Sequence, residues 1–530
     1  MYRLSSYLLP SYLLPSYLLI RRTSRFLAAL LALTAVVSLC GCSKPPRIPE
    51  RYSRRESAPS IFPDYASVTI PPNIAPLNFE IEEDGDDFVT EISGSGDQKM
   101  IAAGKSIAMD DEGWKRLLSE NLDQKIFFTV YARREGEWSR FEPIEVTVSA
   151  DRIDPYLTYR QIEPGYILFG RIRMEERCIE NFKTRPFFDN AAFSGSCANC
   201  HYCQRNNPDR SLFHVRGENG GTMLRWDGKL KKINTVSPVG FSMSYPSWHP
   251  TLPLIAYSSN NTRQCFHARL LNKIEVFDSF SDLLLYDIEK DAIIPVFETE
   301  DIYETFPAWG SDGTVLFYSA AKFKTSEDRS GTRKEAALAR AEEMKNRNEE
   351  ILYSLMKTRF DPKTYHFSPP EVIFDAEKTN SSYIHPRVSP DGRFLVYVKA
   401  DYGTFPLWHH ESDLWLLDLK TGENRPLDGV NSDNAESFHA WDSSGRWLVF
   451  SSRRGTGQFT RTYFTHFDAE GNCTKPFLLP RKSPRDERAD RYSQNIPELM
   501  TGPIPDSSGA MNRAVRYKKA AKPAFLDRNK

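Results

Sequence analysis

Four copies of one short motif constrain the fold of this chain more than any other feature. Each copy begins with an aromatic residue or histidine, followed by proline in three copies and by histidine in the fourth. A polar turn comes next, and then a strand that ends in an aromatic residue followed by serine or valine. The copies cover residues 245–260, 306–320, 385–399 and 438–452. A unit of about four strands that recurs every 50 to 80 residues or so is typical of a β-propeller. We therefore expect an all-β fold with about six blades, five and seven being the alternatives.

The spacing of the motif also sets the expected boundaries of the propeller. It should occupy residues 236–480, with its first strands and a cysteine-rich segment in residues 151–235. The longest interval contains residues 325–358, which are rich in Ala, Glu, Lys and Arg and predict an exposed helix inserted in one blade. Residues 481–530 are polar and charged, and we expect them to form a tail with weak order.

Strand patterns also precede the propeller. Residues 65–150 contain several apolar–polar alternations, for example at 144–148, which are typical of half-buried strands. They predict a small β-sandwich that serves as a scaffold, with Trp114 and Trp138 in its core.

The N-terminus has the features of an export signal. Basic residues are followed by an apolar run at residues 26–39, which is too short to span a bilayer. The run ends in Leu39-Cys40-Gly41-Cys42, which resembles a bacterial lipoprotein cleavage box. The resemblance implies that residues 1–42 are a signal peptide, that Cys42 carries lipid, and that residues 43–64 are a flexible tether. The mature protein would then be anchored to the outer membrane of a bacterial cell envelope, on its periplasmic or surface face; an ordinary signal peptide or an uncleaved anchor is the alternative.

Charge and motifs exclude several function classes. The formal net charge is −1, so there is no electrostatic basis for nucleic-acid binding. The chain has no G-x-S-x-G, H-E-x-x-H or phosphate-loop motif. We therefore expect an electron-transfer or binding protein rather than a hydrolase.

The segment Cys197-Ala198-Asn199-Cys200-His201 carries the strongest functional signal. C-x-x-C-H is the pattern of c-type haem attachment, in which two thiols add to the haem vinyl groups and the following imidazole binds the iron. The chain's own residue frequencies give an expectation of roughly two in a thousand for a random match. We therefore predict one covalent haem c, held by Cys197 and Cys200, with His201 as the proximal iron ligand.

Three other interpretations of this segment remain open. With Cys203 it forms C-x-x-C-x-x-C, a spacing found in iron–sulfur proteins. Three cysteines and His201 would also suffice in number for zinc. Structural disulfides are permitted in an exported protein, and Cys203 could pair with Cys178, Cys265 or Cys473 if haem takes the other two.

A haem iron can take a second axial ligand, and the sequence offers candidates. They are His214, His267, Met223 and Met243. For each of them a structural role, as a hydrogen-bonded histidine or a core methionine, is the competing interpretation.

The propeller motif itself suggests a second site. Equivalent positions in the blades form a ring around the channel, so His249, His385 and His439 could gather near its mouth. Four arginines, Arg387, Arg453, Arg454 and Arg461, would lie close by. Such a ring could bind an anion, a metal or a peptide end. The alternative is that these side chains satisfy backbone groups of the blade turns.

Several stretches carry a resemblance to a known group. The pattern W-S-P-D-G-x-x-L-x-Y resembles TolB-type propeller repeats. Residues 156–480 resemble TolB-like propeller proteins of Bacteroidetes, through stretches that include IEPGY, CANCH, FHVRGENGGT, YPSWHP, ETFPAW and HPRVSPDGRFLVY. The resemblance implies a propeller in the cell envelope and hardly any activity.

Two functions therefore stand at this point. The first is a membrane-tethered c-type cytochrome in which the propeller docks a protein redox partner or another envelope partner. The second is a TolB-like binding module without haem that recognises a protein, peptide or glycan.

Overall fold

The computed structural model describes residues 45–163, 171–193, 196–267, 274–297, 299, 301–325 and 331–526. The predicted signal peptide and Cys42 lie outside these residues, as do residues 164–166 of the IEPGY stretch. Within the described part, no helix is long and apolar enough to cross a membrane. Contacts divide the chain into Met1–Arg47 and Ile48–Lys530, and the elements described below belong to the second unit.

The N-terminal domain consists of two β-sheets and one helix, Asp111–Glu120, which the strand patterns did not predict. Trp114 of this helix is fully buried and its indole nitrogen donates to the carbonyl of Ile74 at 3.0 Å. Trp138, the other expected core residue, is only half-buried, with the Arg133 guanidinium over its ring. The seven-stranded sheet contains Ser53–Arg54, Thr69–Ile70, Asp87–Ser93, Lys99–Ala103, Gln124–Arg134, Glu137–Arg140 and Ile144–Val148, and the three-stranded sheet contains Ile61–Phe62, Phe79–Ile81 and Ser106–Ile107.

The predicted tether, residues 43–64, is part of this domain from Ser53 onward. Ser53–Arg54 pairs in parallel with Ser139 and Arg140, and Ile61 is buried in the core. The polar composition of this segment gave no strand signal, because the strand has only two residues and only a few apolar side chains, such as Ile61, contact the core.

Six antiparallel sheets follow and form the blades of a propeller, which confirms the expected all-β fold. Their innermost strands contact one another in a closed ring of six. Each blade has at least four strands. Blade 1 contains Tyr156–Ile162, Ile172–Cys178, Thr184–Asp189 and Ser493–Met500, and blade 2 contains Ala198–Gln204, Asn207–Val215, Gly221–Trp226 and Lys229–Ile233. Blade 3 contains Ser242–Trp248, Leu254–Phe266, Ile274–Asp287 and Ala292–Pro295, and blade 4 contains Ile302–Trp309, Val315–Lys322, Tyr353–Asp361, His366–Phe367 and Glu371–Phe374. Blade 5 contains Ser382–Val388, Phe394–Ala400, Asp413–Asp418 and Asn424–Pro426, and blade 6 contains Glu436–Trp441, Trp447–Ser452, Arg461–His466 and Phe477–Leu478.

The C-terminal segment differs from the predicted tail. Ser493–Met500 is the innermost strand of blade 1 and pairs with Tyr156–Ile162, so it closes the ring. The helices Pro484–Ala489 and Ser508–Tyr517 flank it, and Ala524–Phe525 adds a fifth strand to blade 3. The prediction was wrong because the strand that pairs with this segment, Tyr156–Ile162, is far away along the chain, so no local pattern reveals the pairing.

The predicted helical insertion is present in shorter form. The helices Arg333–Ala339 and Ala341–Asn346 form it, and the first begins with a capping box between Thr332 and Glu335. The insertion is not wholly exposed, since Met344 is buried in a core that it shares with blades 3 to 6. The remaining short helical segments are Ala376–Thr379, Asn190–Phe193, Asn348–Glu350 and Pro406–Trp408.

Candidate functional site

One residue in each innermost strand adopts a left-handed backbone conformation. In every blade this residue lies at or beside a register shift of the strand pair, which is a β-bulge. A bulge redirects side chains locally, and all six side chains line the central channel. From blade 1 to blade 6 these bulge residues are Ile496, Cys200, Tyr245, Phe306, His385 and Phe438, with φ of 54°, 60°, 50°, 50°, 53° and 47°.

The bulge residues of blades 3 to 6 form an aromatic belt. The ring centroids of Tyr245 and Phe306 are 4.4 Å apart, those of Phe306 and His385 4.0 Å, and those of His385 and Phe438 4.9 Å. Cys200 and Ile496 complete the circle without an aromatic ring, so the wall formed by blades 1 and 2 is chemically different.

The belt separates two cavities, each of about 420 Å³. The first chamber lies at the level of Cys197, Cys200 and Tyr245, toward the beginning of the inner strands. The second chamber lies at the level of Cys203 and Trp248, toward their ends. Both volumes are in the range of small-molecule sites.

Arg387 of blade 5 lies between the two chambers and lines both. Its guanidinium is 3.1 Å from the carboxylate of Glu498 in blade 1 and 4.3 Å from the ring centroid of Tyr202 in blade 2. These contacts span the channel, so the side chain acts as a floor for the first chamber.

The C-x-x-C-H segment lies on the innermost strand of blade 2 rather than on a helical turn. Cys197, Cys200 and His201 all line the first chamber, whereas Cys203 lines the second. Burial raises the pKa of the Cys200 and Cys203 thiols. All six described cysteines are free thiols, so the disulfides that the sequence permits are not formed here.

His201 is buried, with 5% of its surface exposed, and neither ring nitrogen makes a hydrogen bond of normal geometry within the described structure. Burial lowers the pKa of its imidazole to about 3, so the ring is neutral. It follows the bulge residue, a position held by proline in four blades and by His439 in blade 6. In blade 6, the Nε2 atom of His439 forms a hydrogen bond of 2.9 Å with the carbonyl oxygen of Val396 in the neighbouring blade.

The four candidates for a second axial ligand do not line the first chamber. His214 is buried with its Nδ1 3.1 Å from the Thr222 hydroxyl, and Met223 and Met243 belong to blade cores. The Nε2 atom of His267 is 3.5 Å from the sulfur of Cys265, at a different surface depression.

The predicted channel-mouth group is only partly assembled. His385 and Arg387 line the first chamber, and His385 Nε2 has no hydrogen-bond partner in the described structure. His249 instead accepts hydrogen bonds from the backbone of Thr251 and Leu252, as the alternative interpretation expected. His439 bonds a strand carbonyl, as given above, and lines neither chamber.

Arginines that carry no sequence motif dominate the charge of the first chamber. Five line it, against one carboxylate, Glu163, among the described lining residues. Sequence reasoning named Arg387 and Arg453 but missed the other three, because they come from strands and loops of different blades. The five arginines are Arg160, Arg216, Arg263, Arg387 and Arg453.

Among the described residues, no group of three or more His, Cys, Asp or Glu side chains is arranged to hold a metal ion.

Comparisons with known proteins add neither a family nor an activity. No family model and no curated protein matches this chain. Among solved structures, an oligogalacturonate lyase in complex with manganese is 14% identical, with 59% of this chain and 70% of that chain covered and a TM-score of 0.31. A prolyl endopeptidase structure is 13% identical, with 62% and 42% covered and a TM-score of 0.31. Prolyl oligopeptidase B from Galerina marginata is 10% identical, with 53% and 37% covered and a TM-score of 0.29. The chain thus spans less than half of the two peptidases, and these similarities carry no functional argument.

Proposed function

We propose that this protein is a lipid-tethered c-type haem protein of a bacterial cell envelope, related to TolB-like propellers, that transfers electrons to or from a protein partner docked on the propeller. One observation carries the proposal. Cys197, Cys200 and His201 line the same cavity of about 420 Å³, and neither nitrogen of the His201 ring makes a hydrogen bond of normal geometry in the described structure, although the backbone of Thr158 and Ile496 lies close to the ring. Lipidation of Cys42 and the envelope location remain part of the proposal, on the sequence grounds given above.

The chemistry of these residues fits a thioether-linked haem. Both thiols are free, and Cys197 is close enough to contribute to the raised pKa of the Cys200 thiol. His201 is neutral, which is the form that binds iron. His385 offers a second unpaired imidazole nitrogen from blade 5, which lies opposite blade 2 in a ring of six.

The extended strand places a stricter geometric requirement on haem attachment than the motif alone does. C-x-x-C-H usually needs both thiols at one edge of the porphyrin, and here they must reach that edge from an extended strand with a bulge at Cys200. The bulge supports the arrangement because it brings Cys200 and His201 to the same chamber although they are adjacent on a strand.

When bound, the haem would supply a one-electron redox centre whose potential depends on its axial ligands and its burial. The chain would contribute thioether links at Cys197 and Cys200 and an axial nitrogen from His201. The aromatic belt and the Arg387 floor would limit access of water from the second chamber.

The test is expression of the full chain in a host with c-type maturation machinery. We expect a Soret band that survives acid–acetone extraction. Cys200→Ala should remove most of the covalently held haem, whereas the matched variant Cys203→Ala should retain it, because Cys203 faces the other chamber. A folded but colourless wild-type protein would overturn the haem proposal and leave the binding-module alternative.

A further inference from the structure

We infer that the first chamber contains an anion site in which Arg160 and Arg216 together bind the carboxylate of an organic ligand. The inference does not rest on the haem proposal, because it concerns two arginines that take no part in the C-x-x-C-H motif.

Arg160 is a buried cation without an acidic partner. It lies on the strand Tyr156–Ile162 of blade 1, and 8% of its surface is exposed. No described carboxylate forms an ion pair with it, and its Nε has no hydrogen-bond partner among the described residues. The ionisable groups that favour its charged form are Cys197, Cys200 and Tyr245, and none of them is a carboxylate. Burial raises the pKa of Cys200 and of Tyr245, so these two are neutral at neutral pH.

Arg216 brings a second guanidinium to the same place from the end of a blade 2 strand. Its side chain donates to the hydroxyl of Ser244 at 3.1 Å. It interacts with the same two thiols as Arg160, and its charge lowers the pKa of Arg160. Asp278 attracts Arg216, but this carboxylate is hydrogen-bonded to Asn260 and Thr262.

Other buried cations of this protein have partners of their own. His409 lies between Glu275 at 2.6 Å and Glu411 at 2.9 Å. Arg387 pairs with Glu498. Arg453, the other buried arginine of the chamber, donates to the carbonyls of Leu407 and Gly457 and stacks on Trp408 at 3.7 Å.

A buried charge is costly unless an opposite charge or hydrogen bonds compensate it. The two guanidiniums share a cavity, and neither forms an ion pair with a described acid, since Asp278 acts on Arg216 only from beyond ion-pair distance. They therefore point to an anion supplied by a ligand. Arginine forks match carboxylates in two-bond geometry, and the adjacent ring of Tyr245 favours a ligand whose carboxylate is attached to an apolar or aromatic body. The carboxylate could belong to an attached haem, as a propionate, or to a separate organic acid.

The experiment measures binding of benzoate by calorimetry and thermal shift, with benzamide as the neutral probe of the same shape. It uses the full chain as isolated and the variant Cys197→Ser/Cys200→Ser, which has no thioether links. In the variant we expect benzoate to raise Tm and benzamide to leave it unchanged. Arg160→Gln should weaken benzoate binding at least about tenfold, because a charge-assisted hydrogen bond is lost.

Two further variants test whether the effect is specific to Arg160 and Arg216. Arg263→Gln removes an arginine of the same chamber that is exposed, and it should change benzoate affinity less than about twofold. Arg216→Gln should reproduce the loss seen for Arg160→Gln, which keeps the test valid if one of the two variants fails to fold. Without ligand, Arg160→Gln should be at least as stable as its parent, since it removes an uncompensated charge.

Comparison of the full chain as isolated with the variant Cys197→Ser/Cys200→Ser identifies the source of the carboxylate. Binding to both proteins means a separate organic acid, whereas binding to the thiol-free variant alone means that an attached cofactor supplies the carboxylate in the parent. Absence of benzoate binding in both, or equal binding of benzoate and benzamide, overturns the inference. The haem spectrum is recorded independently, so failure of the haem proposal and failure of this inference are distinguishable.

Discussion

The two chambers of the channel have the same volume and are built by the same six strands, yet their chemistry is opposite. In the second chamber, several polar groups have protein partners: Trp248 donates to the carbonyl of Tyr202, Trp441 donates to the carbonyl of Arg387, and Arg387 pairs with Glu498. The Nε1 of Trp309 is an exception among the described residues. In the first chamber, the ring nitrogens of His201, the Nε2 of His385 and the Nε of Arg160 have none within the described structure.

This difference separates a structural surface from a candidate binding surface. Polar groups buried in a folded protein are nearly always satisfied, so a cluster of unsatisfied ones needs an explanation that the rest of the fold does not supply. The second chamber holds the blades together, and the first has unsatisfied groups that a ligand or cofactor could satisfy. Three experiments would sharpen or break this contrast.

The largest effect is expected from the ion pair at the floor. Arg387→Met leaves Glu498 without its partner in a buried position, where only 6% of its side chain is exposed. We expect a loss of about 3 kcal/mol in the free energy of unfolding, measured by urea denaturation. The double variant Arg387→Met/Glu498→Gln should recover part of that loss; a single variant as stable as wild type would show that the floor is not structural.

Glu498 should also affect the pH dependence of stability. Burial raises the pKa of this carboxyl to about 7, although the charge of Arg387 acts to lower it. The folded state therefore keeps a proton that the unfolded state releases near pH 4.5, and its contribution to stability falls as pH rises from about 4.5 to 7 and is constant above.

The slope is at most about 1.4 kcal/mol per pH unit. Denaturation of Glu498→Gln between pH 4 and 8 should show a smaller fall over this window than wild type. An unchanged pH profile would mean that Glu498 stays ionised in the folded protein, held by Arg387.

The smallest effect is expected from the indole hydrogen bonds between blades. Trp248→Phe removes the 3.2 Å bond to the carbonyl of Tyr202 and should cost about 1 kcal/mol beyond the change in packing. Trp309 occupies the equivalent position in blade 4, but its Nε1 has no hydrogen-bond partner among the described residues. Trp309→Phe is therefore the matched control, and equal losses in the two variants would contradict a role for the indole bond.

The sequence repeats predicted much of the ring. Tyr245, Phe306, His385 and Phe438 begin the four recognisable copies of the motif, and each proves to be the bulge residue of its blade. The remaining two bulge residues, Cys200 and Ile496, were missed because their strands lack the turn signature. A faint signal was present, since Ile496 is followed by proline as three of the other four are, and Cys200 and Phe438 are both followed by histidine.

The candidate site was predictable only in part, for a related reason. C-x-x-C-H is a contiguous motif, so the order of residues along the chain is enough to select its members. The proximity of Arg160 and Arg216 has no such signal, because the two residues come from different blades and meet only when the ring closes.

By itself, the sequence determined the repeating blade, the residues that turn each inner strand, and the spacing of the thiols and imidazole, because each of these is encoded within a few adjacent residues. The tertiary structure alone decided which strand closes the ring, which thiols share a chamber, and which buried cations lack partners. Those outcomes depend on contacts between residues far apart in the chain, and no local pattern of side chains specifies them.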